Sequence, residues 1–497
     1  MCLIKTSLKL LVLASLAASS NFASAANPYD KTLEYKKVVR TYISLPEKID
    51  PAHILTMADL QLSMTLASTL VEFNESREIV SALAEKWTVE SNKLKFVLRA
   101  GLKWSNGDLV KASEFKNALF RAKKLYASDL KSLFDAVQSI DSLDDRTIIF
   151  TVRDPAGVEG LLQKLCEPMY GLVAFHDDLT MDYSKSSGPY SLSKSEKKQV
   201  TLVVNTNWFE HAKGMAEVVE LRATPTGINL IESFADDKWA NLVSGITLQK
   251  QVTRQNLSGE KYSVWERSLD SLFALYPSRP FLQKNGAAFM RKLNRTLHAD
   301  SVMNGYSGYS TADQFFPRGY VLWTKEKPKQ ANTSEPVTTK ALKIIVPSSY
   351  RSIEMDRRLK KAIQDITHSE VQVEFVELSL VGERMKKQDF DILATGIAVA
   401  DPNFEGAISF FIEREPPFIP STVEGNDFAG RVSRARKLSS TELRADSMRE
   451  IIRDAQAAGH VTPLFHFSSF AIAKDGVDLS GLSGGSETVL FSKVRMK

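Results

Sequence analysis

The chain has 497 residues, of which 43% are hydrophobic and 25% are charged, and its formal net charge is +5. This composition is that of a globular protein and excludes a disordered or low-complexity chain. Two of the positive charges lie in an N-terminal leader, so the remaining chain carries +3, too little to indicate nucleic acid or a membrane surface as a partner. The length exceeds one typical core and predicts two or three domains.

Residues 1–25 have the three parts of a secretory signal peptide. Lys5 and Lys9 form a basic start, an apolar run follows from Leu8 to Ala18, and small residues end in Ala23-Ser24-Ala25. The apolar run is shorter than the roughly 20 residues that span a membrane. We therefore predict cleavage after Ala25 and export to the periplasm.

Hydrophobic periodicity predicts a mixed α/β chain. In chain order the patterns indicate a strand at Val38–Ile43, a helix at Leu60–Phe73, a strand at Lys93–Arg99, a helix at Ala112–Tyr126 capped by Ser113, strands at Thr147–Val152, Val200–Asn205 and Val218–Ala223, a polar loop at Thr324–Lys340, a strand at Leu342–Val346, a helix at Ile353–Ile366, and strands at Val371–Leu378 and Asp391–Ala394. The alternation after residue 342 predicts βαβ units and a parallel sheet. Such a sheet binds ligands at the carboxyl ends of its strands.

Six segments, taken in order, resemble one known family. They are Ile49-Asp50-Pro51; Leu83 to Phe120 with its L-A-E-K-W, F-V-L-R-A-G-L-K-W-S-N-G and A-S-E-F motifs; Ser187 to Leu192 followed by Asn205 to Trp208; Pro280-Phe281 with Arg291; Asp401-Pro402; and Thr462 to Phe467. Together they resemble the family 5 extracellular solute-binding proteins of ABC importers, which bind oligopeptides, dipeptides or nickel. The resemblance covers nearly the whole mature chain.

The resemblance implies an α/β fold of the two-lobed periplasmic binding protein type, in its large three-part form. Lobe I would comprise 26–50, 176–265 and 471–497, with 51–175 as its elaboration, and lobe II would comprise 266–470. Crossings near Ser263 to Ser268 and Phe467 to Ile472 would form the hinge, and the lobes would close around the ligand.

The implied function is capture of a small ligand, first of all an oligopeptide, and its delivery to an ABC permease in the inner membrane. The protein would act as a monomer, without cofactor, metal or catalytic residues. The residues that line the family's ligand differ here: Ala394 replaces an arginine and Leu55 an acidic residue. Asp401 lies one residue from the aspartate that pairs with the peptide ammonium, and a turn-forming Asp-Pro is an equal alternative.

Candidate ligand-binding residues share a position near the implied cleft: Met57, Tyr126, Tyr276, Gly396, Asp401, His466 and Phe467. Each has a structural alternative. Met57, Tyr126 and Phe467 are also compatible with ordinary core positions. His466 lies in an aromatic strand and is also compatible with a hydrogen-bonded core histidine.

Three other functions stay open. The first is binding of a non-peptide ligand, such as a metal chelate, a sugar oligomer or a signalling molecule, and the second is a sensing or chaperone role on the same scaffold. The third is an exported hydrolase, although no H-E-x-x-H, G-x-S-x-G, C-x-x-C or P-loop motif occurs. After removal of the leader the chain keeps one cysteine, Cys166, in an apolar stretch without signs of activation.

Overall fold

The computed structural model describes the chain from residue 37 to residue 497, with internal gaps. The gaps are 47, 55, 75–77, 127–129, 226–229, 247–248, 251–260, 267–270, 319, 327–340, 349, 351–353, 400–403, 414–416, 421, 424–425, 439, 468 and 484–487. The predicted signal peptide, the candidate ligand residue Asp401 and most of the predicted polar loop lie outside the described residues.

Helices and strands are interspersed along the described part of the chain. The helices are α1 Met57–Leu66, α2 Ala112–Leu125, α3 Lys131–Ala136, α4 Val158–Lys164, α5 Leu230–Ser233, α6 Arg279–Phe281, α7 Ala287–Thr296, α8 Ala299–Met303, α9 Met355–Thr367, α10 Leu378–Lys387, α11 Phe404–Ile412, α12 Phe428–Ala435 and α13 Thr441–Ala457. The strands are β1 Val38–Ile43, β2 Val71–Phe73, β3 Ile79–Ser81, β4 Ala84–Glu90, β5 Lys93–Leu98, β6 Val137–Ser142, β7 Thr147–Val152, β8 Val173–Phe175, β9 Met181–Ser186, β10 Tyr190–Glu196, β11 Gln199–Val204, β12 Val218–Ala223, β13 Leu242–Ile246, β14 Gln249–Lys250, β15 Ser263–Glu266, β16 Ser271–Pro277, β17 Tyr306–Ser307, β18 Tyr309–Thr311, β19 Ala341–Pro347, β20 Glu370–Val376, β21 Ile392–Ala398, β22 Thr422–Val423, β23 Asn426–Asp427, β24 Thr462–Phe467, β25 Ser469–Ala473, β26 Val477–Asp478 and β27 Arg495–Met496.

The first sheet has the strand order β4-β5-β7-β6, and α2 and α4 pack against it over one apolar core. The start of α2 differs from the prediction, because Lys111 and not Ser113 is the N-cap residue. The Glu114 carboxylate accepts a hydrogen bond from the Lys111 backbone N–H at 2.8 Å, and the buried Trp104 indole N–H also donates to it. The tryptophan of the K-W-S-N-G motif and the glutamate of the A-S-E-F motif therefore fix the helix start together.

Helix α1 is shorter than the predicted helix Leu60–Phe73, which is wrong over its second half. The Leu66 carbonyl accepts hydrogen bonds from the Ser186 hydroxyl at 2.6 Å and the Gly188 N–H at 3.1 Å, and the backbone becomes extended at Ala67. A side chain at Gly188 would lie within 2.6 Å of the Leu66 and Ala67 backbone. The S-G-P-Y motif therefore ends α1 through a contact that helical periodicity cannot show.

A second sheet has the order β1-β12-β11-β10, with β1 parallel to β12 and the other pairs antiparallel. Its core includes Val39, Leu62, Tyr190 and Leu221 together with residues from the C-terminal end of the chain. A third sheet, β13-β25-β15, packs beside α5 over a smaller core.

The largest described sheet has the order β18-β24-β16-β21-β19-β20 and carries apolar cores on both faces. Strand β19 is parallel to β20 and to β21, and α9 and α10 connect these strands in sequence. The predicted βαβ units and parallel pairing are confirmed. The other neighbours are antiparallel, so the sheet as a whole is mixed.

The chain changes sheet twice near the same place. Strands β15 and β25 pair in the third sheet, whereas β16 and β24 pair in the six-stranded sheet. The changes therefore fall between residues 266 and 271, which overlaps the predicted hinge segment Ser263 to Ser268, and between residues 467 and 469, within the predicted segment Phe467 to Ile472. One short pairing, β14 with β17, also joins the two parts of the chain. The lobe boundaries themselves stay a prediction.

Candidate functional site

Three strand ends meet at one edge of the six-stranded sheet. Ser271 at the start of β16 pairs with Ala398 at the end of β21 and with Phe467 at the end of β24. We call these three residues the strand-end row. It lies directly beside both places where the chain changes sheet, and it contains the carboxyl end of a parallel strand, where ligands bind in such sheets.

Aromatic side chains cover Gly396, two residues before the end of β21. A Cβ atom at this glycine would collide with the Tyr350 hydroxyl and would lie 2.5 Å from the Phe467 ring. Phe273, the antiparallel partner of Gly396, makes an edge contact with Tyr350 at 5.2 Å and stacks on Phe465 at 5.0 Å. The candidates Gly396 and Phe467 are therefore in contact, because only a residue without a side chain lets these rings reach the strand.

Tyr350 and Phe273 are members of this cluster that were absent from the sequence-based candidates. Burial raises the pKa of Tyr350, opposed by a hydrogen bond with the Gly396 backbone, so its hydroxyl stays neutral near pH 7. Tyr350 follows the carboxyl end of β19, three residues after Pro347. That position was the available signal, since loops after parallel strands line ligand sites.

His466 lies on the opposite face of the sheet from Phe467. It is buried, and its Nε2 atom is 3.1 Å from the Phe315 carbonyl oxygen. Burial lowers the pKa of His466, so the ring is neutral and Nε2 carries the proton that it donates to that carbonyl. The geometry is that of a hydrogen-bonded core histidine, the alternative named from the sequence.

Tyr276 lies near the other end of β16, opposite Leu393 and away from the strand-end row. Five residues separate it from Ser271, which corresponds to about 17 Å along a strand. Its ring makes an edge contact with Phe418 at 5.4 Å and lines a cavity of ≈ 180 Å³. Burial raises the pKa of Tyr276, and its hydroxyl has no hydrogen-bond partner among the described residues.

Tyr126 belongs to a charged cluster around the Ile49-Asp50-Pro51 motif. Arg121 donates to both Asp50 oxygens, at 3.2 and 2.8 Å, and both side chains are fully buried. The Tyr126 hydroxyl donates to Asp50 at 2.6 Å and accepts from Lys48 at 3.0 Å, and the ring stacks on His53 at 4.6 Å. The cluster fixes the chain before α1 to the end of α2.

The charge states in this cluster follow from these contacts. Burial acts to raise the pKa of Asp50, but the hydrogen bonds from Arg121 and Tyr126 hold that pKa below its ordinary value. The hydrogen bond to Tyr126 raises the pKa of Lys48. Asp50 therefore stays ionised and paired inside the protein.

The candidate Met57, at the first position of α1, has 49% of its surface exposed.

The described part of the chain lacks both a metal-binding cluster and a membrane-spanning helix. No group of three or more His, Cys, Asp or Glu side chains there lies close enough together to hold a metal ion. No helix there combines the length and the apolar character that crossing a bilayer requires.

A family model for bacterial extracellular solute-binding proteins, family 5 Middle, matches residues 78–351, more than half of the chain. The chain belongs to this family. The resemblance read from the sequence motifs is confirmed. Family 5 binding proteins are periplasmic or extracellular and carry solutes without catalysing a reaction.

Individual relatives show a close match only locally. The periplasmic murein peptide-binding protein MppA of Escherichia coli is 32% identical over 114 residues, which are 22% of this chain and 21% of MppA. The match thus spans about a fifth of the length of the curated relatives.

Solved structures of family members match almost the whole chain. The E. coli murein tripeptide binding protein MppA has a TM-score of 0.76 and 14% identity, with 93% of this chain and 99% of that one covered. NikA of Brucella suis in complex with Fe(III)-EDTA also has a TM-score of 0.76, with 15% identity and coverage of 92% and 100%. The predicted fold, a two-lobed periplasmic binding protein of mixed α/β content, is confirmed.

Proposed function

We propose that this protein is the periplasmic solute-binding component of an ABC importer. It captures a peptide in the cleft between its two lobes and delivers it to a permease in the inner membrane. The lobes are those expected from the sequence, 26–50 with 176–265 and 471–497, elaborated by 51–175, and 266–470. In this role it acts as a monomer and not as an enzyme.

The observation that carries the proposal is the position of the strand-end row. The carboxyl end of β21 lies next to both places where the chain crosses between the lobes. A ligand bound there contacts the part of lobe II that is nearest the hinge and therefore moves least when the lobes close. A peptide backbone bound at strand ends is recognised through main-chain hydrogen bonds, which accept many side chains. The similarity to a murein peptide-binding protein supports a peptide as the ligand.

One feature favours a second ligand class. Strand β21 contains no charged side chain, and Ala394, which stands where the family has an arginine, is fully buried. A ligand without free charged termini suits such a strand, because a buried charge without a partner is costly. The likeness to NikA bound to Fe(III)-EDTA supports a non-peptide ligand such as a metal chelate.

Native mass spectrometry of the protein purified from its own periplasm separates these classes. A series of bound masses that fragment as short peptides is the expected result. One discrete mass that does not fragment as a peptide contradicts the peptide proposal and supports the second class.

Thermal unfolding gives an independent test. A ligand at 100 times its dissociation constant adds about 2.7 kcal/mol to the free energy of unfolding. We expect the melting temperature to rise with the murein tripeptide and with unmodified di- and tripeptides. The matched control is the same tripeptide with its amino terminus acetylated and its carboxylate amidated. Equal shifts from both forms would show that the termini are not recognised, and no shift from any peptide would reject peptide binding.

A further inference from the structure

Arg444 connects two parts of the protein that have separate cores. Its helix, α13, packs into the core of the six-stranded sheet through Met448 and Ile451. One of its guanidinium nitrogens, Nη2, lies 4.0 Å from a carboxylate oxygen of Glu159. Glu159 is on α4, whose residues Val158 and Leu161 belong to the core of the sheet β4-β5-β7-β6. The ion pair therefore spans from one core to the other.

Several hydrogen bonds hold Arg444 in place on its own side. Its Nε–H donates to Glu405 at 2.7 Å, Nη1 donates to the Leu438 carbonyl at 3.2 Å, and Nη2 donates to the Thr441 hydroxyl at 2.9 Å. Only 14% of the arginine side chain is exposed, against 61% for Glu159. Arg444 is thus a fixed, partly desolvated cation, and Glu159 is the partner that is free to leave.

The position of Glu405 ties this arrangement to the ligand site. Glu405 is the second residue of α11, which begins six residues after the end of β21 and just beyond Asp401-Pro402. Helix α13 runs for 13 residues beyond Arg444, about 20 Å, and β24 then returns from Thr462 to Phe467, about 17 Å along the strand. Arg444 therefore lies at the same end of the sheet as the strand-end row.

We infer that Arg444 is a positioning residue that stabilises the closed arrangement of the two lobes, by pairing with Glu159 across the cleft while it holds the start of α11 through Glu405. This inference rests on the proposed function, since closure is the step that retains a ligand. Opening the cleft breaks the contact with Glu159 and leaves the contact with Glu405 intact.

The test is a distance measurement between the two lobes by pulsed electron paramagnetic resonance. Spin labels are attached to Leu143→Cys and Leu380→Cys, which replace exposed leucines in the two parts. The native Cys166 is buried, and burial raises the pKa of its thiol to about 12, so it resists labelling. Distances are recorded without ligand and with the murein tripeptide, at low and at high salt.

Glu159→Gln is expected to lower the ratio of closed to open protein about two- to fivefold, the effect of a partly exposed ion pair. Glu159→Lys is expected to lower it further by repulsion, and high salt should bring wild type close to Glu159→Gln because exposed charges are screened. The control is Asp177→Asn, which removes an exposed carboxylate that makes no ion pair within the described residues. It is expected to behave like wild type.

The two proposals fail in different ways. If the Glu159 variants match Asp177→Asn at every salt concentration, the inference about Arg444 is wrong, whatever the tripeptide does. If the tripeptide leaves the wild-type distances unchanged while the Glu159 variants shift them without ligand, peptide-induced closure is wrong and the ion pair stands. Glu405→Gln adds a second readout: it should weaken tripeptide binding by freeing the start of α11, and unchanged binding overturns that part of the role.

Discussion

At the residue scale, Gly396 is the position where a single added methyl group has the clearest consequence. We expect Gly396→Ala to lower the free energy of unfolding by about 1–3 kcal/mol, because the new Cβ atom displaces the Tyr350 hydroxyl and the Phe467 ring from a packed cluster. Urea unfolding measures the change. Ligand affinity should fall as well if these rings line the cleft.

The matched control is the same substitution at Gly382. A Cβ atom there meets nothing within 4 Å, and the residue lies inside α10. Gly382→Ala should therefore stabilise the protein by about 0.5–1 kcal/mol through the helix propensity of alanine. If both substitutions change stability in the same direction, the packing argument for Gly396 fails.

A second residue-scale prediction concerns Glu72 in β2. Burial, with the nearby Glu210 carboxylate, raises the pKa of Glu72 from 4.5 to about 7. The folded state therefore binds a proton more tightly than the unfolded state, so stability falls as pH rises from 4.5 to 7. Glu72→Gln should remove this loss, which corresponds to at most about 3 kcal/mol. Unfolding free energies of both proteins between pH 4 and pH 8 measure it.

The comparison with Glu72→Gln is needed because another group titrates in the opposite sense. Burial lowers the pKa of His460 to about 4, so its contribution to stability is lost as pH falls from 6.5 towards 4. That contribution is present in both proteins and cancels in their difference. A difference that stays constant from pH 4 to pH 8 would show that Glu72 has an ordinary pKa in the folded state.

At the scale of elements, the pair Asp50–Arg121 joins the segment before α1 to α2. Asp50→Asn should lower the free energy of unfolding by about 3 kcal/mol or more, because it leaves the buried Arg121 guanidinium without a counter-charge. Urea unfolding measures the loss. Lys48→Met is the control: Lys48 is 58% exposed and 3.6 Å from Asp50, so its removal should cost less than 1 kcal/mol. Equal losses in the free energy of unfolding would show that the buried Asp50–Arg121 pair stabilises the protein no more than the exposed Lys48 contact does.

Elements were predictable from sequence where local pattern decides the structure. Strands Val38–Ile43, Thr147–Val152 and Val218–Ala223 have the expected bounds, because each is an apolar or alternating run with clear ends. The end of α1 and the cap of α2 were not predictable. Gly188 ends α1 by donating a hydrogen bond to Leu66, which is distant in the chain. Glu114 sets the start of α2 by accepting from the backbone of Lys111, a residue type that is not a preferred N-cap.

The residues of the candidate site were likewise predictable only in part. Gly396 and Phe467 could be selected from motif positions, and they are in contact. The position of Tyr350 after β19 was a signal for a ligand-site residue, but its contact with Gly396 could not be predicted, because that contact depends on how β19 and β21 lie in the sheet. Tyr276 was selected with the same reasoning as Gly396, yet it lies towards the other end of β16, since a motif gives the strand but not which end of it faces the cleft.

At the scale of the whole molecule, the arrangement of sheets predicts how the shape responds to ligand. The six-stranded sheet and the sheets of the other part have separate cores, and the chain passes between them at residues 266–271 and 467–469. Two neighbouring crossings permit rotation of one part against the other with little change inside either part. The pairing of β14 with β17 lies on the same side of the six-stranded sheet as the two crossings, because β18, which begins two residues after β17, pairs with Phe467 at the second crossing.

Small-angle scattering should therefore show a smaller radius of gyration with a saturating ligand than without it. The ligand is one identified by native mass spectrometry, and the control is a compound of similar mass and charge that gives no thermal shift. Because closure moves intact lobes, the circular dichroism spectrum should stay unchanged while the radius falls. A radius that does not change under saturating ligand would contradict closure, and a fall accompanied by a changed spectrum would indicate folding of a segment in place of rotation about a hinge.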